Sequence, residues 1–304
     1  MIKLDGLTAF LAVAEAGSIS QAARRLALSK SVVSERLAEL ERTLGAQLLQ
    51  RTTRKQSITA DGEAFMVRAR RILDEAAAAT AEMAERRGEL AGPLRLSAPV
   101  SFGTLHLGAA LYPFLAAHPR IELTLDLDDR FVDLAADGYD AVIRHGPVRE
   151  TWLTAVRLAT SRRRLVASPD YLAAHGAPAS LAALASHAGI LYSNRPVDWR
   201  FRDGDRWRVA NPRPALRVNN GLIMRDAALA GLGLTLLPTF LMHRELASGA
   251  LVAIDLEHEA EGAEIYMAYG RDHGGSAKVR ALAASLRRTF GTPPYWDLDG
   301  PAAP

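Results

Sequence analysis

Apolar residues in the first sixty positions fall into short helical groups separated by small polar ones. The stretch TAFLAVAEA, from Thr8, predicts a first helix. Gly17 and Ser18 interrupt it, Ser18 is placed to cap a second helix, and Ala27-Leu28-Ser29 turns the chain into a third. In the third segment Val33, Leu37, Leu40 and Leu44 recur at spacings of four, three and four, so they share one face. Ser31, Ser34, Glu35, Ala38 and Arg42 fall on the opposite face, and Ser29 is a good N-cap. Small outward residues let a helix approach base edges closely, as a helix lying in the DNA major groove must.

The next stretch is basic. Between Glu41 and Asp61 there is no acidic residue, while Arg42, Arg51, Arg54 and Lys55 are all present. Leu48 to Arg51 and Gln56 to Thr59 can pair as a hairpin around Thr52-Thr53-Arg54-Lys55. That predicts a wing whose basic tip reaches a phosphate or the minor groove. A basic loop by itself is as well explained as a solvated turn beside a helical bundle. The capped helix pair ahead of it favours DNA.

From Ala60 to about Arg87 a single long helix is expected. Phe65, Ala69, Ile72, Ala76, Ala79 and Met83 alternate at four and three, a narrow seam rich in alanine. A helix packed on its own domain would carry a wider apolar stripe, so a dimerising linker is the better reading. Gly88 and Gly92-Pro93 break it. Beyond Leu94 strands and helices alternate. Expected strands are Leu94–Ala98, Ile121–Leu127, Asp140–Ile143, Arg163–Ala167, Leu234–Leu237 and Ile265–Tyr269, with a hairpin over Trp199–Val209. Expected helices begin near Ser101 and cover Leu222–Ala230 and Ala277–Phe290. Gly291 to Pro304 is Pro-rich and reads as frayed. Two α/β lobes joined by crossovers leave a cleft that binds small molecules at strand ends.

Composition narrows the function. The chain has 304 residues, 49% hydrophobic and 23% charged, as in an ordinary soluble globular protein. With no cysteine, disulfides and thiolate metal sites are excluded. Eight scattered histidines without paired spacing argue against zinc. No run of about eighteen apolar residues and no signal pattern is evident, so a cytoplasmic protein without a membrane span is expected. The net charge of +3 is modest, and the local charge of the wing says more. Gly231-Leu232-Gly233 lacks the third glycine of a nucleotide fingerprint and precedes a strand, so it reads as a helix C-cap turn. There is no G-x-S-x-G and no phosphate loop. Asp126, Asp128 and Asp129 read as a solvated strand edge. No cofactor and no catalytic site is expected.

The words AFLAVAEAGSISQAARRLALSKSVVSERLAELERTLGAQLLQRT and ITADGE, followed by AHPRIELTLDL, YDAVIRHG and AALAGLGLTLLP, resemble the LysR-type transcriptional regulators in order and spacing, up to about Phe290. Two departures stand out. Lys30-Ser31 replaces the usual Gln-Pro after the capping serine, and Glu35 stands where an arginine or a neutral polar residue is common. A carboxylate there can accept from cytosine N4 but repels phosphate. The resemblance implies an α+β multidomain chain: a winged helix-turn-helix over 1–60, a linker and dimerisation helix over 61–91, and a two-lobed effector domain over 92–304. That domain would resemble type 2 periplasmic-binding proteins, with lobe I about 92–163 and 265–291 and lobe II about 164–264.

The expected DNA-contacting set is Ser20, Gln21, Lys30, Ser31, Ser34, Glu35, Arg36, Arg51 and Arg54. For the effector, the starts of two helices present Ser101 with Phe102 and Asn219 with Asn220, and helix N-termini favour anions. Arg144 and His145 end one strand and could add positive charge; Asp129 and Arg130 follow another. The segment RFVDLAADGYDAVIR resembles a subgroup for which an organic acid is the expected effector. Plain caps and a structural ion pair are the alternative for these residues. The expected partners are double-stranded operator DNA, a small carboxylate, further copies of the chain as homodimer or homotetramer, and RNA polymerase. The rival readings are a solute-binding protein or two-lobed enzyme with an added helical domain, and a non-specific architectural DNA binder. The helix pair with its wing discriminates against the first. The second leaves the two-lobed domain without a purpose.

Overall fold

The structure is a computed structural model that describes residues 1–51, 56–85, 89–130, 134–146, 148, 150–195, 197–270 and 276–298. It divides into two compact units, Met1–Pro93 and Leu94–Pro304.

The first unit holds helices α1 (Leu4–Ala16), α2 (Ile19–Arg25) and α3 (Lys30–Leu44), strands β1 (Leu49–Arg51) and β2 (Gln56–Ile58), and the long helix α4 (Ala60–Glu85). Leu7, Phe10 and Val13 of α1 meet Val33, Leu37 and Leu40 of α3 in a closed core that Leu48 completes. The α3 face predicted to be apolar is thus the buried one. Ser29 caps α3 by accepting from Val32 N at 3.3 Å. Ser18 occupies the N-cap position of α2, but its side chain makes no capping bond, which corrects the sequence reading. β1 and β2 pair antiparallel with Arg51 opposite Gln56; the tip between them lies outside the described residues.

The ITADGE word has a local job. Thr59 Oγ1 donates to Gln47 O at 2.7 Å and accepts from Gly62 N at 3.0 Å. Gly62 is needed for close approach, since a Cβ there would stand 2.1 Å from Leu48 O. α4 is therefore pressed against the start of the wing. Its first turns belong to the winged-helix core: Ala69 is fully buried, and Phe65, Met66 and Leu73 pack beside it. Glu15 ties the body together, bonding Arg25 and Arg70 at 2.6 Å each. Further on, Ile72 is 41% exposed and Met83 49%. The predicted seam accordingly divides, and its first two positions take the own-domain role that the sequence reading set aside.

The second unit is built on two five-stranded sheets. Its strands are β3 (Gly92–Ala98), β4 (Ile121–Leu127), β5 (Ala141–His145), β6 (Leu153–Ser161), β7 (Arg163–Ala167), β8 (Ala188–Tyr192), β9 (Arg200–Asp203), β10 (Arg206–Val209), β11 (Arg213–Val218), β12 (Leu234–Pro238), β13 (Val252–Ile254) and β14 (Ala263–Gly270). Its helices are α5 (Val100–Phe102), α6 (Gly108–Ala117), α7 (Leu134–Asp137), α8 (Pro169–His175), α9 (Gly221–Leu229), α10 (His243–Ser248) and α11 (Ala277–Phe290). Lobe I has the order β4-β3-β5-β14-β6 and lobe II the order β11-β8-β12-β7-β13, with β9 and β10 as a separate hairpin. The chain leaves lobe I at Arg162, between β6 and β7, and returns through 255–262 into β14, which pairs antiparallel with β5 and β6.

The turn after α9 is a helix C-cap, as predicted. Gly231 has φ +76°, and Leu232 N donates to Ala227 O at 3.0 Å. Gly233 meets Ala188 O closely enough to exclude any side chain.

Two expectations are overturned here. One helical run, Val100–Ala117, is long and apolar enough to cross a membrane, with mean hydropathy 1.3 and 44% of it buried. It joins α5 and α6 through a wider turn at Gly103–Leu107. Phe102, Leu107, Leu111 and Phe114 place it in the lobe I core. The C-terminal stretch is also packed rather than frayed as far as Asp297. Trp296 is buried among Phe102, His106, Phe240 and Phe290. Tyr295 Oη lies 2.5 Å from His106 Nδ1, and Thr239 Oγ1 donates to Asp297 Oδ1 at 2.5 Å. Aromatic burial outweighs the tail's proline content.

Candidate functional site

In the first unit the exposed face of α3 carries Lys30, Ser31, Glu35, Ala38 and Arg42, with Ser34 half-buried beside them. Ser31 Oγ lies 2.8 Å from Ser29 Oγ, so it is held at the start of the helix. Gln21 is exposed and Ser20 half-buried on α2, the helix preceding α3. Arg36 stands apart from this set: its guanidinium pairs with Asp5 at 2.8 Å, which ties α3 to α1. Arg51 ends β1. Arg54 and Lys55 fall outside the described residues.

Sequence reasoning missed Glu41. Its carboxylate accepts from Leu48 N at 2.8 Å and Leu49 N at 3.1 Å, so one α3 side chain sets the angle of the wing. The signal that could have found it was the isolation of this acid ahead of a stretch without acids.

In the second unit a cavity of about 120 Å³ lies between the lobes. Of the predicted residues, Ser101, Phe102, Asp129, Arg144, His145 and Asn219 line it. Two do not. Arg130 is 88% exposed and pairs with Asp128 at 2.6 Å. Asn220 is the N-cap of α9, its Oδ1 accepting from Leu222 N at 3.0 Å and Ile223 N at 3.2 Å. For these two the plainer reading, a surface pair and a cap, is correct.

The polar groups around the cavity are mostly answered. Asp129 Oδ1 accepts from Val100 N at 3.0 Å, so the first helix start already has a carboxylate on it. Arg144 pairs with Glu150 at 2.8 Å. His145 ends β5 and opens to the cleft, yet protein surrounds it deeply, and its Nε2 lies 2.6 Å from Ser161 Oγ. Desolvation, together with the nearby Arg163 and Arg195 charges, pushes its pKa down to about 4. Water in the cleft softens that shift without restoring the charge at neutral pH. The expectation that His145 supplies positive charge is therefore corrected.

The sequence reading also missed the most buried charges in the cavity wall. Arg163 and Asp198, with side chains 4% and 5% exposed, form an ion pair at 2.5 Å. Arg163 donates further to Asp198 O and Leu236 O, each at 2.9 Å. Burial lowers its pKa while the Asp198 charge raises it, with burial the larger effect. Arg195, bonded to Glu261 at 3.2 Å, and Tyr192 complete the polar wall. Burial and the Asp129 and Asp198 charges raise the Tyr192 phenol pKa, against a bond from Asn194. Phe102, Met224, Leu236 and Phe240 supply the apolar part. Among the described residues there is no cluster of three or more metal-ligating side chains.

A capped helix pair with a wing, followed by a two-lobed unit around a closed polar cavity, defines a DNA-binding regulator that responds to a small molecule. The comparisons specify the kind. The helix-turn-helix model described as "Bacterial regulatory helix-turn-helix protein, lysR family" matches residues 4–63, and the "LysR substrate binding domain" model matches residues 87–291. PtxR of Pseudomonas aeruginosa, an HTH-type transcriptional regulator, is 35% identical over 97% of this chain and 95% of its own length. DmlR of Escherichia coli is 34% identical over 94% of each. The solved structure of CrgA from Neisseria meningitidis, a LysR-type transcriptional regulator, has a TM-score of 0.60 at 32% identity, covering 93% of this chain and 97% of that one. This chain belongs to the LysR family of transcriptional regulators, which bind DNA and small-molecule effectors, form oligomers and are not enzymes.

Proposed function

We propose that this regulator reads its operator through the exposed face of α3 and responds to a small organic acid held between the lobes of its second unit. The observation that carries the acid reading is the convergence of Arg144, Arg163 and Arg195 on one cavity, together with Ser101 and Asn219. Guanidinium groups and short polar side chains suit a carboxylate, which gains charge-assisted hydrogen bonds from them. The cavity is smaller than the roughly 300–1,000 Å³ of drug-sized sites, which favours a compact acid. Arg195 is the guanidinium best placed to turn to a ligand. Its side chain is 38% exposed, and its 3.2 Å contact with Glu261 is the longest of the three arginine pairs.

On the DNA side, Ser31, Ser34 and Glu35 stand for base reading, and Lys30 with the wing residues Arg51 and Arg54 for backbone contact. Residues 1–60, 61–91 and 92–304 would then act as reader, linker and sensor, and the place of action is the cytoplasm, where operator DNA lies.

Calorimetry of the full chain against small carboxylic acids and their amides tests the acid reading. The acids should bind, the amides should bind about tenfold or more weakly, and Arg195→Ala should weaken acids more than amides. Equal binding of acid and amide refutes it.

A further inference from the structure

Asp198 holds the one carboxylate in the cavity wall whose second oxygen has nothing to do. Oδ1 takes the Arg163 guanidinium at 2.5 Å. Oδ2 is buried and has no hydrogen-bond partner among the described residues. A buried acceptor without a donor is costly, and native structures rarely keep one without a purpose. The side chain is only 5% exposed and belongs to a residue that lines the cavity. Ligand entry requires the lobes to part, and the same opening uncovers this oxygen.

The character of the missing donor follows from the neighbours. An ionised carboxylate oxygen only accepts, so the ligand must present an O–H or N–H to it. An ammonium group is disfavoured, because Arg144, Arg163 and Arg195 surround the same space with positive charge. A carbonyl would set acceptor against acceptor. A methylene would leave the oxygen unpaired in a closed site. A neutral hydroxyl satisfies the oxygen and leaves the arginines to the ligand's carboxylate. We infer that Asp198 Oδ2 accepts a hydrogen bond from a hydroxyl on the effector, which makes Asp198 the residue that selects a hydroxy acid over its keto and deoxy counterparts. This rests on the organic-acid reading above and adds the group that the acid must carry.

The test uses matched sets on the full-length protein: lactate, pyruvate and propionate; malate, oxaloacetate and succinate; mandelate, phenylglyoxylate and phenylacetate. The corresponding hydroxylated and deoxy amides are included. Calorimetry should show that, within any set that binds, the hydroxy acid binds roughly tenfold or more tightly than either counterpart. In Asp198→Asn the amide oxygen stays on Arg163 and the NH₂ takes the place of Oδ2. A donor then faces the ligand, and the preference should swing toward the keto acid. The ranking in the unsubstituted protein decides the matter even if loss of the buried charge prevents the variant from folding. Acids that bind without preference for the hydroxyl overturn the Asp198 assignment and leave the acid reading standing. Hydroxylated amides that bind as well as the acids, and better than deoxy amides, keep the assignment and sink the acid reading. Failure of every compound to bind overturns both.

Discussion

His106 is 1% exposed and sits where the lobe I helix meets Phe240 and the C-terminal turn. Its Nε2 lies 2.8 Å from the Phe240 carbonyl oxygen, which can only accept, so the partners assign the ring proton to Nε2. Nδ1 is then the acceptor for the Tyr295 hydroxyl, 2.5 Å away. Only the neutral ring fits both partners. Burial, the largest cause, pushes the pKa down to about 4, with the bond to Phe240 O opposing it and His243 and Arg244 adding to it. The sign follows from proton counting. Between about pH 4 and 6.5 the unfolded chain binds the proton and the folded chain does not, so stability rises with pH in that window. The contribution is fully present above about pH 6.5 and lost as pH falls toward about 4, to the extent of about 3 kcal/mol. Urea midpoints measured from pH 7.5 to 4.5 should fall more steeply for the unsubstituted protein than for His106→Gln, which has no proton to gain. Parallel profiles would show that this ring titrates alike in both states.

At the scale of elements, the wing is governed from outside itself. β1 and β2 are three residues each, too short to fix their own direction. Glu41 supplies the direction by accepting two backbone N–H groups at the entrance to β1, while Thr59 and Gly62 seat the exit against α4. Glu41→Ala strands two part-buried donors, at a cost of about 1–3 kcal/mol. Gel shifts should show weaker binding to every DNA sequence by a similar factor, because the wing contacts backbone. A change confined to one base pair would place Glu41's influence on the reading face instead.

The same elements explain how far the sequence was legible. Short-range periodicity gave α3, β4, β7 and α11 at or near their ends, since one buried face writes a period into the chain. It missed β6, β8, β11 and β13. Lobe II strands such as Ala188–Tyr192 take their neighbours from distant segments, so the local pattern carries little information. The site divided in the same way. Ser101, Arg144 and Asn219 were visible as strand ends and helix starts. Arg163 and Asp198 were not, because their pairing joins residues 35 apart and depends on the lobes meeting. The C-terminal turn was misjudged because proline content is a local signal, whereas burial of Trp296 against Phe102 and Phe240 is a tertiary one.

At the scale of the whole molecule, function needs two copies of the reader, since one short helix contacts too few base pairs to single out an operator. The later part of α4 is the element available for that role. Its first turns are occupied by the winged-helix core through Phe65 and Ala69. Ile72, Ala76, Ala79 and Met83 continue the four-three spacing beyond that core, with Ile72 and Met83 substantially exposed. Exposed apolar residues at coiled-coil spacing are stabilised when a second helix covers them. Ile72→Asp separates the two roles of α4. Where the side chain faces water the substitution is nearly neutral, so the isolated winged-helix core should keep its thermal stability. Where two helices meet, it places two like charges opposite each other in an apolar seam and costs about several kcal/mol. Light scattering should then report a smaller particle than for the unsubstituted protein, and the protected stretch of operator in a footprint should shorten toward a single half-site. An unchanged mass and footprint would remove Ile72 from any interface and move dimerisation elsewhere on the chain. Loss of mass with a full-length footprint would mean that DNA itself assembles the pair, with the linker seam supplying only part of the association energy.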